Sequence, residues 1–181
     1  GIMLRAAGEV DSQVLVTASQ RYHLRSGRFR VDVDAFDAHL GRAEKLHGYE
    51  ALVEYERALA LCTGDFLGDE IYEWAEVYRR DYQKRFVTAA HRAAKLAFDC
   101  RDPKMALQFY EAILPRDPID EEAVRGSMRC YAALGDTNAV KRAYKNLVAS
   151  LRRELEDDNA APLPETAKLL HEMTEQPSTI R

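Results

Sequence analysis

Two hydrophobic periods divide this chain, and the change between them falls near Asp34. Before it, Val14 and Val16 alternate, Tyr22 and Leu24 follow a polar turn at Ser19-Gln20, and Phe29, Val31 and Val33 alternate again. Alternation predicts a small β hairpin and a third extended segment. Beyond it, apolar residues recur at spacings of three and four, the period of helices with one buried face. Ala35, Phe36, His39, Leu40, Ala43 and Leu46 make a first helix, capped by Asp32 or Asp34 and ended by Gly48. Ala51, Leu52, Tyr55, Ala58, Leu59 and Cys62 make a second, stopped at Thr63-Gly64-Asp65. The run from Ile71 to Cys100 predicts one long helix or two collinear ones, roughly 45 Å at about 1.5 Å per residue. Asp102-Pro103 opens a fourth helix that runs to about Leu114, with Asp117-Pro118 closing it. A fifth spans about Glu121 to Leu134 and ends at Gly135, and Asp136 caps a sixth that reaches about Leu155. After a polar linker, Pro164-Glu165-Thr166 starts a last helix, and residues 177–181 read as a disordered tail. The fold class is therefore all-α, about seven helices with a short N-terminal β hairpin.

The helices repeat. Tyr110 and Tyr144 lie 34 residues apart, and at the same offset Asp102 answers Asp136, Ala106 answers Val140, Leu114 answers Val148 and Lys95 answers Arg129. Ala106, Tyr110, Ile113 and Pro118 hold the small, aromatic, apolar and proline positions of a tetratricopeptide unit, and Val140, Tyr144 and Leu147 repeat it without the proline. Such units bury their apolar faces only by stacking on a neighbour. A partial earlier copy, Ala51, Tyr55 and Ala58, stands 21 residues too far upstream, with Ile71, Trp74 and Tyr78 in the insertion. Trp74, the single tryptophan, is expected to be a buried anchor. The first helix of each unit lines a concave groove, which aligns His91 with Arg125 and Lys95 with Arg129. This basic ladder would attract a carboxylate, an acidic peptide or a phosphate. The opposing reading is a solvated face neutralised by Glu111, Glu121 and Glu122.

Composition narrows the function. No apolar run approaches the roughly 20 residues of a membrane span, and no secretory signal is visible. Cys62, Cys100 and Cys130 are widely spaced within helical pattern, so reduced cysteines in a cytoplasmic protein are expected. Of the net charge of −4, the first 30 residues carry +3 and the remainder −7. The start at Gly1-Ile2-Met3 suggests a piece of a longer chain.

Catalytic signatures are weak. Asp32-x-Asp34 follows an extended segment, as in haloacid-dehalogenase-like phosphatases, but no further strands follow to carry their remaining groups, so helix capping explains it better. His171-Glu172 lacks a second histidine four positions on from the first, and the other histidines have no ligand spacing. No cofactor, metal or enzymatic activity is expected.

Four segments resemble, in order, the bacterial transcriptional activator domain of antibiotic-regulatory-protein (SARP) activators. Ala58 to Phe86 resembles its Ala-Leu-x-Leu-x-x-Gly-Asp-x-Leu segment with the Trp-Ala and Arg-rich helix that follow. Arg30 to Leu40 resembles its entry to the first helix, Ile113 to Asp136 its central Asp-Pro-x-x-Glu segment, and Leu147 to Leu170 its closing Pro-Glu-Thr signature. Departures are Glu156-Asp157 in place of a glycine and Cys62 in place of a tryptophan. The resemblance implies a tetratricopeptide-like domain over residues 34–176, preceded at 1–33 by the remnant of a winged-helix DNA-binding domain. It implies a regulatory or oligomerisation role, with its own DNA-binding domain, RNA polymerase, a second copy or a signal ligand as partners. Arg5, Arg21 and Arg25 would contact DNA phosphates only with the missing winged helix in place, so this chain is expected to bind DNA weakly and without sequence preference. A free-standing tetratricopeptide adaptor for an acidic peptide or anionic ligand is the alternative.

Overall fold

The computed structural model describes residues 15–18, 21–24, 32–64 and 73–175. Strand β1 (Leu15–Ala18) pairs antiparallel with β2 (Arg21–Leu24), Leu15 opposite Leu24. Seven helices follow among the described residues: α1 (Asp32–Ala43), α2 (Gly48–Ala60), α3 (Ala75–Asp99), α4 (Pro103–Ile113), α5 (Glu121–Ala133), α6 (Thr137–Glu154) and α7 (Pro164–Glu175). Each helix packs on its neighbours in sequence, and α3 also touches α5 as α5 touches α7. Those alternate contacts mark stacked helical hairpins, in which the first helix of each unit meets the first helix of the next.

Local chemistry explains the boundaries. Asp102, Asp120 and Asp136 are N-caps whose side chains accept the backbone N–H groups of Met105, Ala123 and Ala139 at 2.8–2.9 Å. Gly135 ends α5 in the left-handed region (φ 80°), and Arg101, 34 residues earlier and just before Asp102, adopts the same conformation (φ 61°). Sequence and structure differ at α1 and α2. Asp32 and Asp34 both sit inside the first turn of α1, where they complement the helix dipole, and Val33 belongs to that helix. The first helix ends at Ala43, and Gly48 opens α2 with φ 54° where it was expected to close α1. The expected extended residues Phe29 and Val31, and the tail after Gln176, lie outside the described residues.

Two clusters form the core. The larger joins α1–α5, where Ala89, Ala90, Ala93, Ala94 and Ala97 let α3 approach its neighbours closely, and the smaller joins α5–α7 around Val124, Met128, Val140, Leu147 and Leu151. The repeat positions Ala106, Val140, Ile113 and Leu147 are all buried, as are Ala51, Tyr55 and Ala58 of the partial copy. Trp74 is not the buried anchor expected of it: as the N-cap of α3 it is 58% exposed and meets Tyr78 edge-on, and the buried position beside it is Ala75, the first residue of the helix. Polar staples hold the N-terminal half. Glu54, 7% exposed, accepts from His39, Arg42 and Arg57, contacts that hold its pKa at about 2. Arg116 donates to the Cys62 carbonyl at 2.7 Å with its guanidinium 3.8 Å above the Phe86 ring.

Candidate partner-binding groove

The four ladder residues come from α3 and α5, whose stacking brings equivalent positions of two units side by side. The structure gives them separate tasks. His91 Nε2 lies 2.7 Å from Asp120 Oδ2, with Tyr110 edge-on at 6.1 Å, and its buried Nδ1 has no partner among the described residues. The hydrogen bond that His91 donates to the Asp120 carboxylate raises the His91 pKa, outweighing burial. Asp120 responds oppositely: burial pushes it up, but the His91 bond and the Ala123 and Glu122 backbone bonds bring it below its ordinary value. Because Asp120 is also the α5 N-cap, this pair ties α3 to the start of the next unit.

Arg125 is held by the last helix. Its Nη1 donates to Thr166 Oγ1 at 2.9 Å and lies 3.8 Å from Glu121. Thr166 is fully buried; its hydroxyl donates to Glu121, whose carboxylate also accepts the Leu163 N–H at 2.9 and 3.0 Å. A carboxylate in the first turn of α5 thus satisfies donors at the start of α7. The Pro-Glu-Thr segment at 164–166 matters because its threonine is the anchor of that contact.

Lys95 and Arg129 are exposed and make no ion pair among the described residues. They flank one recess of about 270 Å³ with Phe98, Asp99, Tyr110, Glu122 and Gly126. Arg129 also borders a second recess of about 400 Å³, shared with Arg125, Glu165, Lys168 and Glu172. The groove is therefore of mixed charge. Of the three acids expected to neutralise the ladder, Glu122 stands in the first recess, Glu121 is spent on α7, and Glu111 accepts from the Tyr131 hydroxyl. Gly126 was not singled out by sequence reasoning, yet the Tyr110 ring lies directly over it: a Cβ there would stand 2.3–2.5 Å from three ring carbons. Its signal was a buried-face glycine inside a helix, which costs about 1 kcal/mol against alanine and so demands a reason. Burial raises the Tyr110 pKa, so its hydroxyl stays protonated at neutral pH.

Of the proposed backbone-contacting arginines, Arg21 begins β2, whereas Arg5 and Arg25 lie outside the described residues. The three cysteines are free, and burial pushes the Cys130 thiol to about 11. Among the described residues no group of three or more potential ligands could hold a metal ion, and no helix is long and apolar enough to cross a membrane.

A family model described as bacterial transcriptional activator domain matches residues 31–173. Neither the curated proteins nor the solved structures give a match.

Proposed function

The chain belongs to the bacterial transcriptional activator domain family, and from that membership we propose that it is the regulatory part of a SARP-like activator, working by docking. The site of docking is the recess between Lys95 and Arg129, and its occupant is an acidic segment of a protein partner or an anionic signal ligand. The observation that carries this reading is the pair itself: two exposed cations without ion-pair partners among the described residues, lining one recess together with Gly126 and Tyr110. A carboxylate entering there finds two charge-assisted donors, while Asp99 and Glu122 in the same lining select against a uniformly acidic surface and favour a short segment with its own cation. His91 and Arg125 contribute by keeping α3, α5 and α7 in register and leave ligand contact to Lys95 and Arg129.

The test is fluorescence anisotropy of the purified chain with a labelled short peptide of glutamates that carries one central lysine. Lys95→Glu with Arg129→Glu should lower affinity at least tenfold with the far-ultraviolet circular dichroism unchanged. Unchanged binding by that pair removes the recess as the site.

A further inference from the structure

We infer that the solvent face of α6 is a docking surface for the sugar–phosphate backbone of duplex DNA. The apolar side of α6 is spent on the core through Val140, Tyr144, Leu147 and Leu151. At 100° per residue, Lys141, Arg152, Lys145, Asn138, Ala149, Arg142, Arg153 and Asn146 fall, in that order, within a sector of about 140° on the opposite side. All of them are exposed. The sector holds five cations and no carboxylate, in a chain whose acids outnumber its lysines and arginines 30 to 26.

Several basic positions on other helices are answered by acids, although Lys95 and Arg129 are not. Arg79, Arg85 and Arg92 of α3 each lie in an ion pair, and Lys168 of α7 pairs with Glu172. On α6, Lys141, Lys145 and Arg152 have no ion-pair partner among the described residues. Arg142 stands 3.6 Å from Asp136 and Arg153 pairs with its neighbour Glu154, both exposed contacts of little strength. Further acids, Glu156 to Asp158, come only after the helix has ended.

The composition of the face selects the polyanion. Its one apolar residue is Ala149, a single methyl, so it lacks the large anchor that a protein partner would bury. A membrane-lying helix needs its apolar side free, and here that side is in the core. Phosphates need only cations and neutral donors, and the amides of Asn138, amid the cations, and Asn146, at the sector's edge, supply the latter. Ala149 also leaves the centre of the face low, so a strand can approach the cations on either side of it. From Lys141 to Arg152 the face runs about 16 Å along the axis, enough for several phosphates of one strand. Duplex DNA is the polyanion that fits a family described as a transcriptional activator domain. The contact is to backbone alone and adds affinity without choosing sequence. It lies on a different helix from the Lys95–Arg129 recess, so each stands or falls separately.

The experiment is anisotropy of the full 181-residue chain with a labelled random-sequence duplex of about 20 base pairs, repeated between about 50 and 200 mM salt. Binding should be micromolar at the low end, with log K falling against log salt at a slope of about −4.5 for the five cations. Lys141→Glu, Lys145→Glu and Arg152→Glu together should cost at least tenfold in affinity and reduce the slope by about 3, with the melting temperature of the chain unchanged. A second variant, Arg5→Glu with Arg21→Glu and Arg25→Glu, should retain most of the binding. The inference is overturned if the chain does not bind the duplex at about 50 mM salt, if the α6 variant binds normally, or if affinity follows the N-terminal arginines. Polyglutamate of equal charge displacing the duplex at equal concentration would overturn it in favour of an acidic protein.

Discussion

Gly126→Ala is a sharp test of how the groove is built, because two effects of known size oppose each other. Alanine is the better helix former by about 1 kcal/mol, so propensity alone predicts stabilisation. Against that, the new Cβ would stand 2.3, 2.4 and 2.5 Å from Cζ, Cε2 and Cε1 of Tyr110, where carbon atoms ordinarily rest at about 3.5–4.0 Å. The ring is flat, half-buried and edge-on to His91, so it must move as a body by more than about 1 Å. Overpacking of this kind costs roughly 1–3 kcal/mol, and the rigid neighbour puts it at the upper end. The expected net loss is about 2 kcal/mol, or about 4–8 °C in melting temperature for a chain of this size. Urea unfolding followed at 222 nm measures it. Tyr110→Ala should cost about 2–3 kcal/mol alone, and the double variant should fall short of additivity by at least about 1 kcal/mol, since the alanine at 110 makes room for the methyl. A stabilised Gly126→Ala, or a cycle additive to within about 0.5 kcal/mol, would refute the close approach.

Two further outcomes follow from the contacts that hold Arg125 and His91. Glu121→Ala leaves the Leu163 N–H and the buried Thr166 hydroxyl without their acceptor and should cost about 2–3 kcal/mol, with hydrogen exchange rising over residues 163–175 and little elsewhere; uniform exchange across the chain would contradict it. The His91–Asp120 pair makes stability depend on pH in a defined direction. The raised His91 pKa contributes stability that is complete below about 6.5 and is lost as pH rises through the folded value, while the lowered Asp120 pKa contributes above about 3.8 and is lost as pH falls through its folded value. Melting temperature should therefore fall between about pH 6 and 8 more steeply than in His91→Gln, and parallel profiles would count against the pair.

Much of the helical architecture was legible because its causes are local. Asp102 and Asp136 announce helices by accepting N–H groups three residues on, and Gly135 announces an end by tolerating positive φ; neither depends on anything distant. Gly48 misled for a related reason: a glycine with positive φ serves as well to enter a helix as to leave one. Trp74 misled because size and hydrophobicity argue for burial on average, whereas here it is the next residue, Ala75 at the start of α3, that is buried. The basic face of α6 is legible in the spacing of Lys141, Lys145 and Arg152, a polar periodicity that runs opposite the apolar one.

The groove is where the two levels part. Sequence alone determined that His91 is equivalent to Arg125 and Lys95 to Arg129, because a 34-residue period is a one-dimensional property and stacking units preserve it. Which of the four remain available was decided only in three dimensions. His91 is claimed by Asp120 at the head of the next unit and Arg125 by Thr166 of α7, 41 residues away, leaving Lys95 and Arg129 in the lining of the recess. Equivalence in a repeat places side chains on the same face, but a side chain's partner also comes from caps and terminal helices that lie outside the period. Those partners are brought within hydrogen-bonding distance by packing, which no spacing along the chain specifies.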